Sequence, residues 1–207
     1  LVNNPSKAYD GLTIFGSYYN NYSAAIDMNG NEVWNSGGIN SFVFFQRDEN
    51  QRFLGGKFLP ELNSSLIGAE FNLENGIVWT EPVDTSNSDG ESFIQHEIIV
   101  LPNGNYMGFI QEYQLGPIAS DNYMTQYFQM IGYEADGVTL EFPWYGQKIV
   151  EWNENHEVVW SWNPFDHFSM GDYDNYEGTW YGAYFDQEFD WMHSNAFHFD
   201  DEESVIY

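Results

Sequence analysis

Three stretches of this sequence follow one plan. AAIDMNGNEVW (Ala24 to Trp34), GAEFNLENGIVW (Gly68 to Trp79) and KIVEWNENHEVVW (Lys148 to Trp160) each run a short apolar strand into an Asn/Asp/Gly turn and leave through a β-branched pair that closes on tryptophan. Apolar alternation on both sides of such a turn is a β-hairpin signal. Asn29-Gly30 and Asn75-Gly76 supply residues that tolerate the positive φ of tight turns, and in the third hairpin that role falls to Asn155, less readily because no glycine follows it. A fourth hairpin, HEIIVLPNGNYMGFIQEY, turns at Asn103-Gly104. Trp34 and Trp79 lie 45 residues apart and Trp79 and Trp160 lie 81 apart, close to two such periods once irregular insertions are allowed. A period of that size with hairpins and a recurrent aromatic matches one four-stranded propeller blade. The expectation is therefore an all-β fold, a partial β-propeller of roughly four blades. Residues 1–207 would form one propeller domain or the N-terminal portion of one, with Trp34, Trp79 and Trp160 packed between blades.

Composition agrees with strands and turns. Aromatic residues make up 19% of the chain, glycines are frequent, and no long amphipathic helical period is present. The segment from Asn163 to Asp190 breaks the pattern and reads as an irregular insertion. Its seven Tyr, Trp or Phe residues between Tyr173 and Phe189 argue against plain disorder. Long loops in compact domains commonly serve as lids or pocket walls. Tyr176, Trp180, Tyr181 and Tyr184 offer ring planes for stacking on an aromatic ligand, with loop anchoring as the alternative.

Charge narrows the partners. Thirty-two acidic residues against 5 basic ones give a net charge of −27, which opposes nucleic acid and anionic membrane surfaces. No apolar run is long enough to cross a bilayer, so no membrane insertion is expected. Cysteine is absent, which removes disulfides and thiolate metal sites. No cofactor is expected. Calcium is weakly supported by the oxygen-rich turns Asp27 to Glu32, Ser88 to Glu91 and Gly171 to Gly178, none of which has the twelve-residue loop ending in a bidentate Glu. No pair of histidines has helical metalloprotease spacing, so no metal site is assigned.

Five histidines remain as candidate chemistry. His96 heads the fourth hairpin and His193 stands in DWMHSN; the two segments share a layout of histidine, apolar-rich run, turn and following strand. His167 sits in the insertion, a candidate donor in a pocket wall, while His156 falls in a hairpin turn and His198 in a strand.

The set GLTIFGSYYNNYSAAIDMNGNEVW, HEIIVLPNGN, VVWSWNPFDHF and DWMHSN followed by an acidic turn and SVIY resembles the bacterial arylsulfate sulfotransferase family, in that order and over most of the chain. The resemblance implies a six-bladed propeller, secreted or periplasmic, although the sequence has no signal peptide and starts at Leu1, as a mature or trimmed product would. It also implies transfer of a sulfuryl group from an aryl sulfate to a phenolic acceptor through a sulfohistidine, without a nucleotide donor. By that resemblance His96 and His193 line the central funnel as catalytic residues that contact sulfuryl oxygens. From their place in the insertion, His167, Trp180 and Tyr181 are the substrate-binding candidates. The family's arginine and nucleophilic histidine fall beyond the position matching Tyr207. Glu97 stands where the family more often has Asp. Phenolic sulfate esters and phenols are the implied partners, with a homodimer or association with the remainder of a propeller left open. The alternative is a secreted, non-catalytic propeller acting as a binding or assembly module.

Overall fold

A computed structural model describes residues 11–17, 22–37, 42–48, 50–59, 65–72, 76–82, 97–173 and 177–207. The fold is β-rich and made of consecutive antiparallel sheets, none closed on itself. Strands β1 (Thr13–Ser17), β2 (Tyr22–Ile26) and β3 (Glu32–Asn35) form the first sheet. The second contains β4 (Phe42–Arg47), β5 (Phe53–Leu59), β6 (Ser65–Asn72) and β7 (Gly76–Thr80) in chain order. The third runs β8 (Ile98–Val100), β9 (Tyr106–Gly116), β10 (Phe142–Trp152) and β11 (Val158–Trp162), with the short β12 (Phe189–Asp190) parallel to the start of β10. A two-stranded sheet of β13 (Phe199–Asp200) and β14 (Val205–Ile206) follows. Two helices, α1 (Thr125–Met130) and α2 (Glu177–Asp186), interrupt this series; among the described residues no helix is long and apolar enough to cross a membrane.

The hairpin turns share one backbone frame. In 27–31, 48–52, 101–105 and 153–157 the first residue's N–H bonds the carbonyl of the fifth, and the fourth residue's N–H bonds the carbonyl of the first. The fourth residue is left-handed in every case: Gly30, Gln51, Gly104 and His156 have φ of 82°, 65°, 90° and 65°. Three-residue hairpin loops close through such a residue. In the last turn the positive φ therefore belongs to His156 and not to Asn155; Asn155 instead donates its N–H to the Asn153 side chain. Gly76 also has positive φ, while Asn75 lies outside the described residues.

Asp27 shows how a side chain locks this frame. Its Oδ1 accepts from the N–H groups of Asn29 and Asn31 and its Oδ2 from the Asn31 amide. The Asn31 side-chain bond, then the Asn31 backbone bond, hold the Asp27 carboxyl below its ordinary pKa. A carboxyl whose folded pKa is depressed stabilises the fold above its unfolded pKa, and that contribution is lost as pH falls through the folded value. An NMR titration is expected to place the Asp27 midpoint below the usual Asp range, and Asn31→Ala to move it upward.

Consecutive sheets pack face to face. Trp34 from the first sheet meets Phe71 of the second at 5.5 Å, where Phe71 also stacks on Phe42 at 4.8 Å. Trp79 from the second lies flat on Tyr106 of the third, 3.7 Å apart and 2° from parallel, with Trp152 at 6.2 Å. Leu54, Ile98 and Val150 complete that seam. The opposite face of the third sheet carries Met107, Phe109 and Ile149 and packs on Phe197, Phe199 and Ile206. Trp160 breaks the expected series. It is 41% exposed, because only the short β13–β14 pair lies beyond it.

Hydrogen bonds also tie one sheet to the next. Ser23 Oγ of β2 donates to the Phe42 carbonyl and accepts from the Phe44 N–H of β4, and Gln46 Nε2 of β4 donates to the Ile98 carbonyl of β8. Within the second sheet, close approach of β4 and β5 requires glycine. A Cβ on Gly55 would stand 2.0 Å from the Val43 carbonyl oxygen. Gly55→Ala is expected to cost about 1–3 kcal/mol by forcing backbone shifts, read as a lower urea midpoint at unchanged slope.

The insertion is more ordered than its composition suggested. Asn163 caps a short 3-10 turn at Pro164–Asp166, α2 follows, and β12 returns to β10. Trp180 and Ala183 on one face of α2 join Phe128, Phe142, Trp144 and Phe189 in a second core. Positions i and i+3 share a helix face, but glycines at 178 and 182 dilute the helical signal.

Candidate functional site

The segment leaving β12 is tied to β10. Trp191 N–H continues the pairing by bonding the Tyr145 carbonyl, and Ser194 N–H donates to the Gln147 side chain at 2.9 Å. Between these anchors the backbone bends at His193, where φ is +44°. A non-glycine residue adopts that conformation only when its surroundings hold it there. Here Asp190 does so: its Oδ1 accepts the His193 N–H at 3.2 Å, and its Oδ2 contacts Nδ1 of the ring.

Tyr145 stands beside Asp190, and the two line one cavity. Burial, then its interaction with Asp190, push the Tyr145 phenol well above its ordinary pKa, so it stays neutral. The Asp190 carboxylate fixes the His193 imidazole through Nδ1 and leaves Nε2 for a ligand. The His193 side chain is 72% exposed. It borders a cavity of about 380 Å³ that is also lined by Tyr145, Thr179, Asp186, Glu188 and Asp190.

A second cavity of about 520 Å³ lies further along the same face of β10. Gln147 and Ile149 line it from β10 and Trp160 and Trp162 from β11, together with Met192 and Phe197. Tyr145, Gln147 and Ile149 are alternate residues and so share one face of the strand. Met192 and Ser194, the neighbours of His193, line this second cavity while His193 itself borders the first. An acidic, hydrogen-bonding compartment thus adjoins an aromatic one.

The other sequence candidates are dispersed. His96 lies outside the described residues. Its neighbour Glu97 is described, and burial raises its carboxyl above the usual range. His167 stacks on Trp162 with ring centroids 5.1 Å apart and planes 1° from parallel, and it does not line the aromatic compartment that Trp162 borders. Trp180 is 2% exposed within the second core and presents no surface to a ligand. Tyr181, on the opposite side of α2, is 53% exposed and packs against Phe185. His156 lies 5.7 Å from the Trp79 ring, and His198 exchanges backbone hydrogen bonds with Tyr207.

Sequence reasoning missed Asp190, Tyr145 and Gln147. Asp190 was within reach, three residues before His193 in DWMH, a spacing at which a turn brings side chain to side chain. Tyr145 and Gln147 lie more than forty residues away in sequence and only sheet pairing brings them there.

Cations take other partners. Arg52 pairs with Asp48 at 2.6 Å, Lys148 with Glu112 at 3.4 Å, and Arg47 lies over the Phe53 ring. Among the described residues neither cavity is lined by Lys or Arg, and no group of three His, Asp or Glu is placed to hold a metal ion. Of the oxygen-rich turns, Asp27 spends both oxygens inside its own turn, and 83–90 and 174–176 lie outside the described residues.

No protein-family model matches the chain, and no curated protein matches it. The functional reading rests on the sequence motifs and on this geometry.

Proposed function

We propose that the chain belongs to an arylsulfotransferase-like propeller exported from a bacterial cell, in which His193 binds the sulfuryl oxygens of an aryl sulfate. The observation that carries this reading is the anchoring of His193 by Asp190 at the border of two adjoining cavities. Protonated, the ring donates from both nitrogens, Nδ1–H to Asp190 and Nε2–H to a sulfuryl oxygen. A donor fixed before the reaction begins loses nothing to reorganisation as charge develops. In the proposed chemistry the aryl S–O bond breaks as a histidine nitrogen bonds to sulfur. The phenolate leaves and takes up a proton. A second phenol then displaces the histidine, giving its proton to solvent, so that one aryl sulfate and one phenol become another pair. The nucleophilic histidine is assigned outside residues 1–207.

The propeller reading draws support from the face-to-face order of the first three sheets and from the hydrogen bonds that tie β2 to β4 and β4 to β8. The test is turnover of a chromogenic aryl sulfate with a phenol acceptor, measured on purified full-length protein that includes the nucleophile assigned outside residues 1–207. Release of phenol that depends on the acceptor supports transfer.

One observation favours a second reading. Asp186, Glu188 and Asp190 line the first cavity, no Lys or Arg lines it among the described residues, and the field of these carboxylates repels a sulfate ester. A non-catalytic binding module fits that field better. Folded protein that binds small ligands but releases no phenol establishes it.

A further inference from the structure

We propose that β11 is a docking edge for a basic, extended peptide, which adds to the third sheet as a further antiparallel strand and seats an apolar side chain beside Trp160. This inference does not depend on sulfuryl transfer.

The first observation is the edge itself. Among the described residues β11 pairs with β10 alone, leaving one row of its backbone N–H and C=O groups without a strand partner. Natural edge strands are protected by lysine, proline or inward-pointing charge. The residues of β11, Val-Val-Trp-Ser-Trp, include none of these. Val158, Val159 and Trp160 are 59%, 52% and 41% exposed in succession.

The second observation is what lies beside the edge. On β3 and β7 the corresponding tryptophans are used in packing, Trp34 against Phe71 and Trp79 against Tyr106. Trp160 instead borders two cavities, the aromatic one of about 520 Å³ and another of about 350 Å³ lined by Leu101, Met107 and Phe199. An added strand reads its target through main-chain hydrogen bonds and places alternate side chains in pockets. Both features are present here.

The third observation selects the partner. From Ile149 to Tyr207 the chain carries Asp and Glu but no Lys or Arg. Glu151 and Asp201 line the smaller cavity beside Trp160, and Glu154, Glu157 and Asp166 flank the strand in sequence. Glu151 accepts from the amides of Asn103 and Asn105 and Glu157 from that of Asn153, and among the described residues neither is in an ion pair that a cation would displace. A second copy of this chain, at −27, would meet like charge across the edge. A peptide that alternates lysine with valine and phenylalanine is complementary in both charge and period.

The probe is a synthetic peptide of this alternating composition, about eight residues long, titrated into the protein while tryptophan fluorescence is followed. Saturable binding is expected. It should weaken at least about tenfold when alternate peptide amides are N-methylated, when lysine is exchanged for glutamate, or in Trp160→Ala, and it should fall with added salt. Equal binding of the N-methylated peptide would reduce the effect to unspecific charge attraction and overturn the proposal. So would no binding, or sedimentation showing that the protein covers this edge by self-association. The peptide controls use unaltered protein, so a folding defect in the variant does not decide the outcome.

Discussion

His193→Ala is expected to lower aryl-sulfate turnover by about 10²–10³, the usual loss when one preorganised donor to a developing anion is removed. The side chain is largely exposed, so its removal leaves the cores intact, and circular dichroism and thermal midpoint should stay near those of the parent protein. Asp190→Asn separates binding from positioning. It keeps hydrogen-bonding atoms beside the ring but removes the carboxylate that holds Nδ1. Asp190→Asn should therefore lower turnover less than His193→Ala while leaving the fold intact. Tyr145→Phe removes a hydroxyl beside Asp190 and is expected to have a smaller effect. Full turnover in His193→Ala would remove this residue from the chemistry.

The largest stability loss is expected at Trp79→Ala, about 3–5 kcal/mol, the range for truncating a large buried aromatic. Trp79 is covered by Tyr106 on one side and approached by Trp152 on another, so neither sheet can collapse into the space without losing its own contacts. Tyr106 donates its hydroxyl to the largely buried Glu70 at 2.7 Å, and a shift of the Tyr106 ring would strain that bond as well. For a domain of this size the loss corresponds to a fall of about 6–20 °C in thermal midpoint. Trp160→Ala should cost far less, because Trp160 is partly solvated and only the short β13–β14 pair lies beyond it. Equal losses at the two positions would contradict the packing described here.

The hairpins were legible in the sequence because a turn and its flanking alternation are local facts. Asn29-Gly30 and Asn103-Gly104 each sit in a turn whose glycine takes the positive φ. Asn155 misled because the left-handed position is the fourth of the five-residue frame, and there the chain has His156. The helix in the insertion was missed for a related reason. Gly178 and Gly182 lower its intrinsic propensity, and what holds it is burial of Trp180 against Phe128 and Phe189, a tertiary gain that no window of sequence displays. Trp180 reads as a ligand platform in one dimension and is a core residue in three.

The sequence alone determined the strand-rich class, the tryptophan-closed hairpins, the acidic field and His193 as a candidate, since each depends on neighbours along the chain or on composition. The tertiary structure decided which tryptophans are buried, that Tyr145 and Gln147 join His193, and that two unlike cavities share one face of β10. Those outcomes depend on sheet register and on how one sheet covers the next. Register is set by pairing between distant segments, so shifting a strand by one residue would send every one of these side chains to the other face.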